Sequence, residues 1–412
     1  MRSSPGRWGC EGRVTPSRTS ADGGAGTRLP LFGDEHDALR AMARTFVARE
    51  ISPNVEAWER AEDFPRGLFA TVGDAGLFGL KFAERWGGSG PDLLAEAVWV
   101  QELGRAASGG LAADLAAHAQ RALLHVDVAG TDAQKQRYLE PGVSGQRLGA
   151  VAIAEPGVGR DLEAIATRAQ RISTGWLLDG RKSPVTNGAW CDWVVVAART
   201  GAGGVTLFVV DTDAPGITRR RLRTLGWRSA HTAHMVFDRV AVPEDAVLGE
   251  VDGADRALAR VTAWERLASS LGAVAAAEVA LEGAIAYAQQ RQAFGRPVAR
   301  FQVWRHRFAD LATAIASGKA LAEHALRLHV AHRGGGRVDP DELVRVTAVA
   351  AMVAQRTACE VADEAVQVHG GYGYVMEFPA QRWWRDAWMG ALAGGPQEIT
   401  TREVAATLGL SG

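Results

Sequence analysis

From residue 33 the apolar positions recur with the period of a helix. In GDEHDALRAMARTFVAREI, Leu39, Met42, Phe46, Val47 and Ile51 fall on one helical face. Asp34 stands where a cap is expected. Two glycine-marked breaks follow, at DAGLFGL and RWGGSG, and then a second helix is expected from about Leu93 to Arg105. Thr131, Asp132 and Ala133 before QKQRYL form another capped helix start.

Near residue 150 the period changes. GAVAIAEPG, GWLLDGRKSPVTNG, WVVVAART, GVTLFVVDT, GITRRRLRTLGW and the alternation over 232–237 give short strands with turn residues between them. That spacing predicts a small sandwich or barrel closing at 239–245. From about 253 to 330 the helical period returns, and a second helical pair covers about 340–369 and 385–408 beyond the glycines at 334–336. Long alanine-rich helices with short turns favour a bundle. The expected division is a disordered tail over 1–28, a helical domain over 29–149, a β-barrel over 150–252 and a helical bundle over 253–412.

Composition narrows the function. The 412 residues carry 46 basic and 47 acidic groups, a net charge of -1, and 47% apolar residues. This excludes a polybasic nucleic-acid or membrane-surface binder. No uninterrupted apolar run has the roughly 18–20 residues of a bilayer span. Cys10, Cys191 and Cys359 are too few and too scattered for a disulfide framework, so a reducing, cytoplasmic setting is expected. Residues 1–28 have no apolar segment of secretory-signal length.

Several segments can carry chemistry, each with a plainer structural alternative. The turn in AIAEPGVGRD, 152–161, offers two glycines through which a backbone can approach a planar ligand, or it is a surface turn. Thr186, Asn187 and Gly188 form a turn signal. Arg291 in RQAFG stands near a helix end, as a phosphate partner or as a favourable C-terminal cation. VQVHGGYGY, 366–374, ends a helix in a glycine-rich cradle or cap; His369 has no second ligand at metal spacing. Glu265 lies in a long apolar helix, where desolvation raises a carboxyl's proton affinity and suits it to act as a base; the alternative is an Arg-paired helix carboxylate.

Taken together, these segments resemble the acyl-CoA dehydrogenase family of FAD enzymes. The resemblance runs over about residues 30–410. It is carried by FPRGLFATVGDAGLFGL with RWGGSG, AIAEPGVGRD, KSPVTNG, LGWRSAHTAHMVFDRVAVP, RQAFGRPVARFQ, VADEAVQVHGGYGYVMEFPAQRWWRDA and GGPQEI. It implies a mainly α chain with an N-terminal helical domain, a middle β-barrel and a C-terminal four-helix bundle. It implies FAD between barrel and bundle, and a homotetramer or homodimer. Ile153, Ala154, Gly159 and Thr186 would then lie along the flavin ring. Arg291, Phe294, Gln302, Gln367 and Gly371 would serve a neighbouring subunit's FAD. The family's reaction takes two hydrogens from an acyl thioester: a Glu removes the α-proton and flavin N5 accepts the β-hydrogen as hydride.

The family's commonest base lies nine residues after the Arg of the ArgAspAla element. Counting from Arg385, that position is Gly394, so that base is absent. Isovaleryl-CoA-type members place the base in a GluArg pair 25 residues before the Arg of ArgxxPheGly. Arg266 precedes Arg291 by 25 residues, which puts Glu265 on the alternative position and Arg266 beside it to orient the base or contact substrate. Glu398 is a weaker candidate. Pro396, Pro184 and Ala154 replace residues that usually contact or back FAD. Arg160 adds a cation where a pantetheine phosphate or an acidic carrier protein would approach. The expected activity is dehydrogenation of an acyl group on CoA or acyl carrier protein, with electrons leaving to an electron-transfer flavoprotein or oxygen. A flavin monooxygenase on the same fold and a non-catalytic family member are the alternatives.

Overall fold

The computed structural model describes residues 31–159, 161–201, 204–393 and 397–410. The expected tail at 1–28, Arg160, Gly394 and Pro396 lie outside them.

Eight short helices open the described chain: α1 (Asp34–Phe46), α2 (Val55–Ala61), α3 (Leu68–Asp74), α4 (Leu93–Gly104), α5 (Gly109–Ala116), α6 (Leu124–Ala129), α7 (Asp132–Gln134) and α8 (Glu140–Val143). The cap of α1 differs from expectation. Asp34 is its first helical residue and Gly33 the cap, with the Gly33 amide donating to His36 Nδ1 at 3.0 Å. Met42 is exposed rather than part of the apolar face, while Val47 and Ile51 are buried. Thr131 does cap as expected: its hydroxyl accepts from the Gln134 amide and the Gln134 side chain returns to the Thr131 amide. α5 and α6 form one helical run, 109–129, interrupted by a π-type turn at Ala117–Leu123.

The middle of the chain is sheet: β1 (Gly149–Ala152), β2 (Arg168–Ile172), β3 (Gly175–Val185), β4 (Trp193–Arg199), β5 (Val205–Asp211), β6 (Ile217–Arg221), β7 (Ala233–Val242) and β8 (Val247–Leu248). Strand order is β6-β7-β3-β2-β4-β5-β8, with β1 added parallel to β4. Most pairs are antiparallel. The path ends at β6 and β8, and among the described strands the sheet is mixed, with no pairing that joins those two ends. β2 was not foreseen; RAQRI is mostly polar and exposed, and pairing with β3 makes it a strand. Where β3 leaves β7, between Lys182 and Val185, the register shifts, and the chain turns at Thr186.

The helical stretch expected over 253–330 is two helices. α9 (Ala254–Gln290) ends at a small hairpin, β9 (Gln292–Ala293) and β10 (Arg296–Pro297), and α10 (Gln302–Arg333) follows. α11 (Pro340–His369), α12 (Ala380–Ala393) and α13 (Gln397–Thr407) complete the chain. α9 is long and apolar enough to cross a bilayer by length and composition. Its apolar surface is instead taken up by packing against α4, α10 and α11. Val274, Ala277 and Leu281 of α9 meet Leu311 and Ile315 of α10 and Ala354 and Ala358 of α11 in the bundle core. The small side chains let helix axes approach closely. At the crossing of α4 and α9 a Cβ on Gly104 would sit 2.6 Å from the Gly272 carbonyl oxygen, so only glycine fits there.

Candidate active site

α9 brings Glu265 to the wall of a cavity of about 210 Å3 shared by the N-terminal helices, the sheet and the bundle. Thr186, at the turn after β3, lines the same cavity, as do Trp227 and Arg121. Glu265 is 8% exposed. Its carboxylate forms an ion pair with Arg121, which sits on the π-type turn of the 109–129 run. Arg121 Nη2 also lies 3.5 Å from the Ala393 carbonyl at the end of α12. Such turns widen a helix locally and often mark functional positions.

Arg121 was not foreseen. Its one local signal is that Gln120 and Arg121 are adjacent polar residues in an alanine- and leucine-rich stretch. Gln120 holds the geometry from behind. Trp264 Nε1, on the residue before Glu265, donates to Gln120 Oε1 at 2.8 Å. Gln120 Nε2 donates to Glu96 of α4. Glu96 in turn pairs with Lys81 at 3.1 Å, both side chains wholly buried, and the ammonium lies 4.7 Å from the centre of the Phe82 ring. Burial pushes the Lys81 ammonium below its ordinary pKa; Glu96 opposes this.

Arg266, expected to orient Glu265 or touch substrate, turns elsewhere. Its Nη2 donates to Glu403 Oε1 of α13 at 2.9 Å, and it is absent from the cavity lining. The structure gives the orienting contact to Arg121. The helical period is the reason: successive residues on α9 point about 100° apart. Glu398 is exposed in the first turn of α13.

Asp386 ties the cavity wall together. Its oxygens accept from the Trp227 amide at 2.7 Å and the Gly109 amide at 2.9 Å, so α12, α5 and the segment after β6 meet on one carboxyl. Desolvation first, and then nearby Glu59, push Asp386 up to about 6, against the two amides and Arg385. Arg385 beside it donates to Glu59 at 2.8 Å and to the Leu225 carbonyl at 2.8 Å.

The expected flavin-side residues are drawn together by one buried pair. Lys182 Nζ donates to the Ile153 carbonyl at 3.0 Å and to Glu155 at 2.8 Å. Glu155 also accepts from the Ala166 and Thr167 amides at 2.7 and 3.0 Å. Burial works to raise Glu155, but Lys182 and these amides outweigh it and hold the carboxyl below its usual range. The Ser183 amide donates to the Ala154 carbonyl at 2.9 Å, tying the loop to the end of β3. Gly157 and Gly159 both take positive φ, and space beside each is open. Glycines at positive φ with open space beside them let the backbone come close to a planar ring. Pro184 is exposed at the same edge.

The other predicted ligands gather at the far end of the bundle. Arg291 follows α9, Phe294 sits in the β9–β10 turn, Gln302 opens α10, and Gln367 and Gly371 lie at the end of α11. All five are exposed, Phe294 at 97%. Arg291 is 26 residues beyond Glu265 on the α9 path, roughly 39 Å along a helix axis. None of the five lines the Glu265 cavity. His369 donates from Nδ1 to the Ala365 carbonyl at 2.6 Å and stacks on Tyr287, an end-of-helix packing role.

The chain matches family models for the acyl-CoA dehydrogenase N-terminal domain over residues 33–146, middle domain over 150–240 and C-terminal domain over 252–409. The chain belongs to the acyl-CoA dehydrogenase family. It is 33% identical over 386 residues to the mitochondrial long-chain specific acyl-CoA dehydrogenase of Rattus norvegicus, covering 91% of this chain and 86% of that one. It is 33% identical over 371 residues to an acyl-CoA dehydrogenase of Bacillus subtilis, covering 89% and 95%. Among solved structures, butyryl-CoA dehydrogenase from Megasphaera elsdenii superposes with a TM-score of 0.85 at 30% identity, over 92% of this chain and 98% of that one. The acyl-CoA dehydrogenase of Bacillus anthracis, solved with FAD, gives 0.85 at 26% identity, over 92% and 67%. As a member of this acyl-CoA dehydrogenase family the chain is an oxidoreductase and an FAD flavoprotein.

Proposed function

We propose that the chain dehydrogenates an acyl-CoA thioester, with Glu265 as the base that removes the α-proton. The observation that carries this is the placing of Glu265 and Thr186, from the bundle and the sheet, on the wall of one largely apolar cavity. Ile153, Ala154, Gly159 and Thr186 would hold FAD, which would supply the two-electron sink for the hydride that the β-carbon gives up. Glu265 takes the α-hydrogen as a proton, so the thioester loses one proton and one hydride and gains a carbon–carbon double bond. Apolar walls exclude water from the carboxylate, and Arg121 supplies the charge that offsets its burial.

In this reading Arg291, Phe294, Gln302, Gln367 and Gly371 complete the FAD site of a second copy of the chain, which makes the working unit a homodimer or homotetramer. Their exposure and their distance from Glu265 support it. Electrons leave to an electron-transfer flavoprotein, with oxygen as the alternative acceptor.

The test is anaerobic flavin absorbance of the purified protein during titration with acyl-CoA thioesters and the matching acyl carrier proteins. Wild type is expected to bleach with acyl-CoA, and Glu265→Gln to keep its flavin colour without bleaching. Bleaching that survives in Glu265→Gln would overturn the base. Bound flavin that no thioester bleaches would favour oxygenase chemistry, and bleaching confined to carrier-bound acyl groups would replace CoA as the carrier.

A further inference from the structure

A buried polar chain runs behind the wall that carries Glu265. It starts at Lys81, in the loop after α3, and passes through Glu96 of α4 and Gln120 of the π-type turn to Trp264 of α9. All four side chains are buried. Of the four, only Gln120 reaches the cavity wall.

The far end of this chain is a wholly buried ion pair. Such a pair is a poor source of stability, because desolvating two charges costs about what their attraction returns. Its directed contact passes through one atom. Glu96 Oε1 lies 3.1 Å from Lys81 Nζ and accepts from Gln120 Nε2, while Glu96 Oε2 has no hydrogen-bond partner among the described residues.

Hydrogen-bond chemistry then allows one arrangement. An indole N–H only donates, and a carboxylate only accepts. A glutamine amide between them satisfies both only with Nε2 toward the carboxylate and Oε1 toward the indole. Turned over, it would set N–H against N–H at one end and oxygen against oxygen at the other. A neutral group in place of the carboxylate, such as an amide, both donates and accepts and would take the Gln120 amide either way. The charge on Glu96, balanced by Lys81, therefore selects which way Gln120 faces.

That selection reaches the reacting pair directly. Arg121 and Glu265 follow Gln120 and Trp264 in the chain, so the bond between Gln120 and Trp264 ties together the two runs that carry the ion pair. A shift of about 1 Å at a reacting group can cost on the order of a hundredfold in rate. We propose that Lys81 and Glu96 are positioning residues for Glu265: their ion pair fixes the direction of the Gln120 amide, and through Trp264 it holds the base in register with Arg121. Neither reaches the cavity, so both act only through Gln120. The inference rests on Glu265 being the base in the dehydrogenase reading above.

The test uses the flavin-loaded protein and the saturated acyl-CoA that bleaches the wild type fastest, unlabelled and deuterated at the α- or the β-carbon. Anaerobic flavin reduction gives the rate at saturation and the half-saturating concentration. Tm and bound flavin are measured on the same samples. A first double change, Lys81→Met with Glu96→Leu, removes both charges and the acceptor. A second, Lys81→Met with Glu96→Gln, removes the charges but leaves an acceptor oxygen near Gln120. Trp264→Phe removes the indole N–H and keeps an aromatic ring.

The first double change and Trp264→Phe are expected to slow flavin reduction at saturation on the order of tenfold, with half-saturation and flavin content within about twofold of wild type. The α-deuterium effect is expected to rise and the β-deuterium effect to stay, because only the proton acceptor is displaced. The second double change is expected to recover part of the rate. A packing role would not give that recovery, since both double changes are free of the buried charges.

Wild-type reduction rates in the first double change would overturn the positioning role. So would a loss shared equally by both double changes, or one that tracks lost flavin or lowered Tm with an unchanged α-deuterium effect. The dehydrogenase reading stands in each of these cases. Bleaching of the wild type by no acyl-CoA would remove the base and this role with it.

Discussion

Gln120 accepts from Trp264 at 2.8 Å, and each is followed directly in the chain by one partner of the Arg121–Glu265 ion pair. A neutral hydrogen bond between two helical runs therefore sets the register in which the charged residues meet. The charges need not find each other across a mobile gap.

That arrangement makes Arg121 testable. Arg121→Leu leaves the Glu265 carboxylate against an apolar wall without its cation. The expected result is a fall in kcat/KM on the order of ten- to a hundredfold with flavin retained. Arg121→Lys keeps the charge and is expected to recover part of the loss. Unchanged kinetics in Arg121→Leu would show that the pair has no part in turnover.

Behind Gln120, Lys81 and Glu96 form a wholly buried ion pair. Removing one partner strands a charge in the core. Lys81→Met is expected to cost roughly 3–5 kcal/mol of stability. The double change Lys81→Met with Glu96→Leu removes both charges and is expected to regain much of that loss. Denaturant unfolding of the four proteins gives the coupling directly.

Glu155 and Lys182 serve the glycine loop in the same way. Glu155→Gln leaves Lys182 buried with the Ile153 carbonyl but no counter-charge. A loss of about 3 kcal/mol is expected, together with weaker FAD retention on dilution, read from the absorbance of the filtrate. Full flavin retention in a folded variant would separate this pair from the cofactor site.

Asp386 gives a pH dependence with a definite sign. Its folded-state value is near 6, above the ordinary carboxyl range, so the folded protein holds a proton that the unfolded chain has already released. The stabilisation is complete below about pH 4 and is lost as the pH rises through 6. Between pH 4 and 7 this contribution lowers Tm in the wild type; Asp386→Asn is expected to lack that component. Parallel Tm–pH curves for the two proteins would refute it.

The parts legible in the sequence were those set by local chemistry. The Thr131 capping box, the start of α4 near Leu93 and the turn at Thr186 each depend on neighbours a few residues away. Glu265 was proposed through the resemblance, whose 25-residue spacing runs from Arg266 to Arg291, and that interval is one continuous path along α9 and its end. Arg121 was not reachable, because its partner lies 144 residues away and nothing local pairs them. Arg266 was misread for a related reason: adjacency in sequence is divergence in direction on a helix. The polar strand β2 and the small hairpin at the expected helix end in RQAFG depend on pairing partners that periodicity does not reveal.

α9 carries Glu265 in its first half, small cavity-wall residues along its middle and the exposed Arg291 at its end. These features are points on one rod, so their relative positions obey a phase rule. A single residue inserted or deleted between Glu265 and Ala280 would rotate everything beyond it by about 100° and shift it by about 1.5 Å. The small residues would leave the cavity wall, the larger core residues would swing into it, and Arg291 would face a different direction. Substitutions along this stretch adjust what the site accepts; a change in its length by one residue would dismantle the site and the distant end at once.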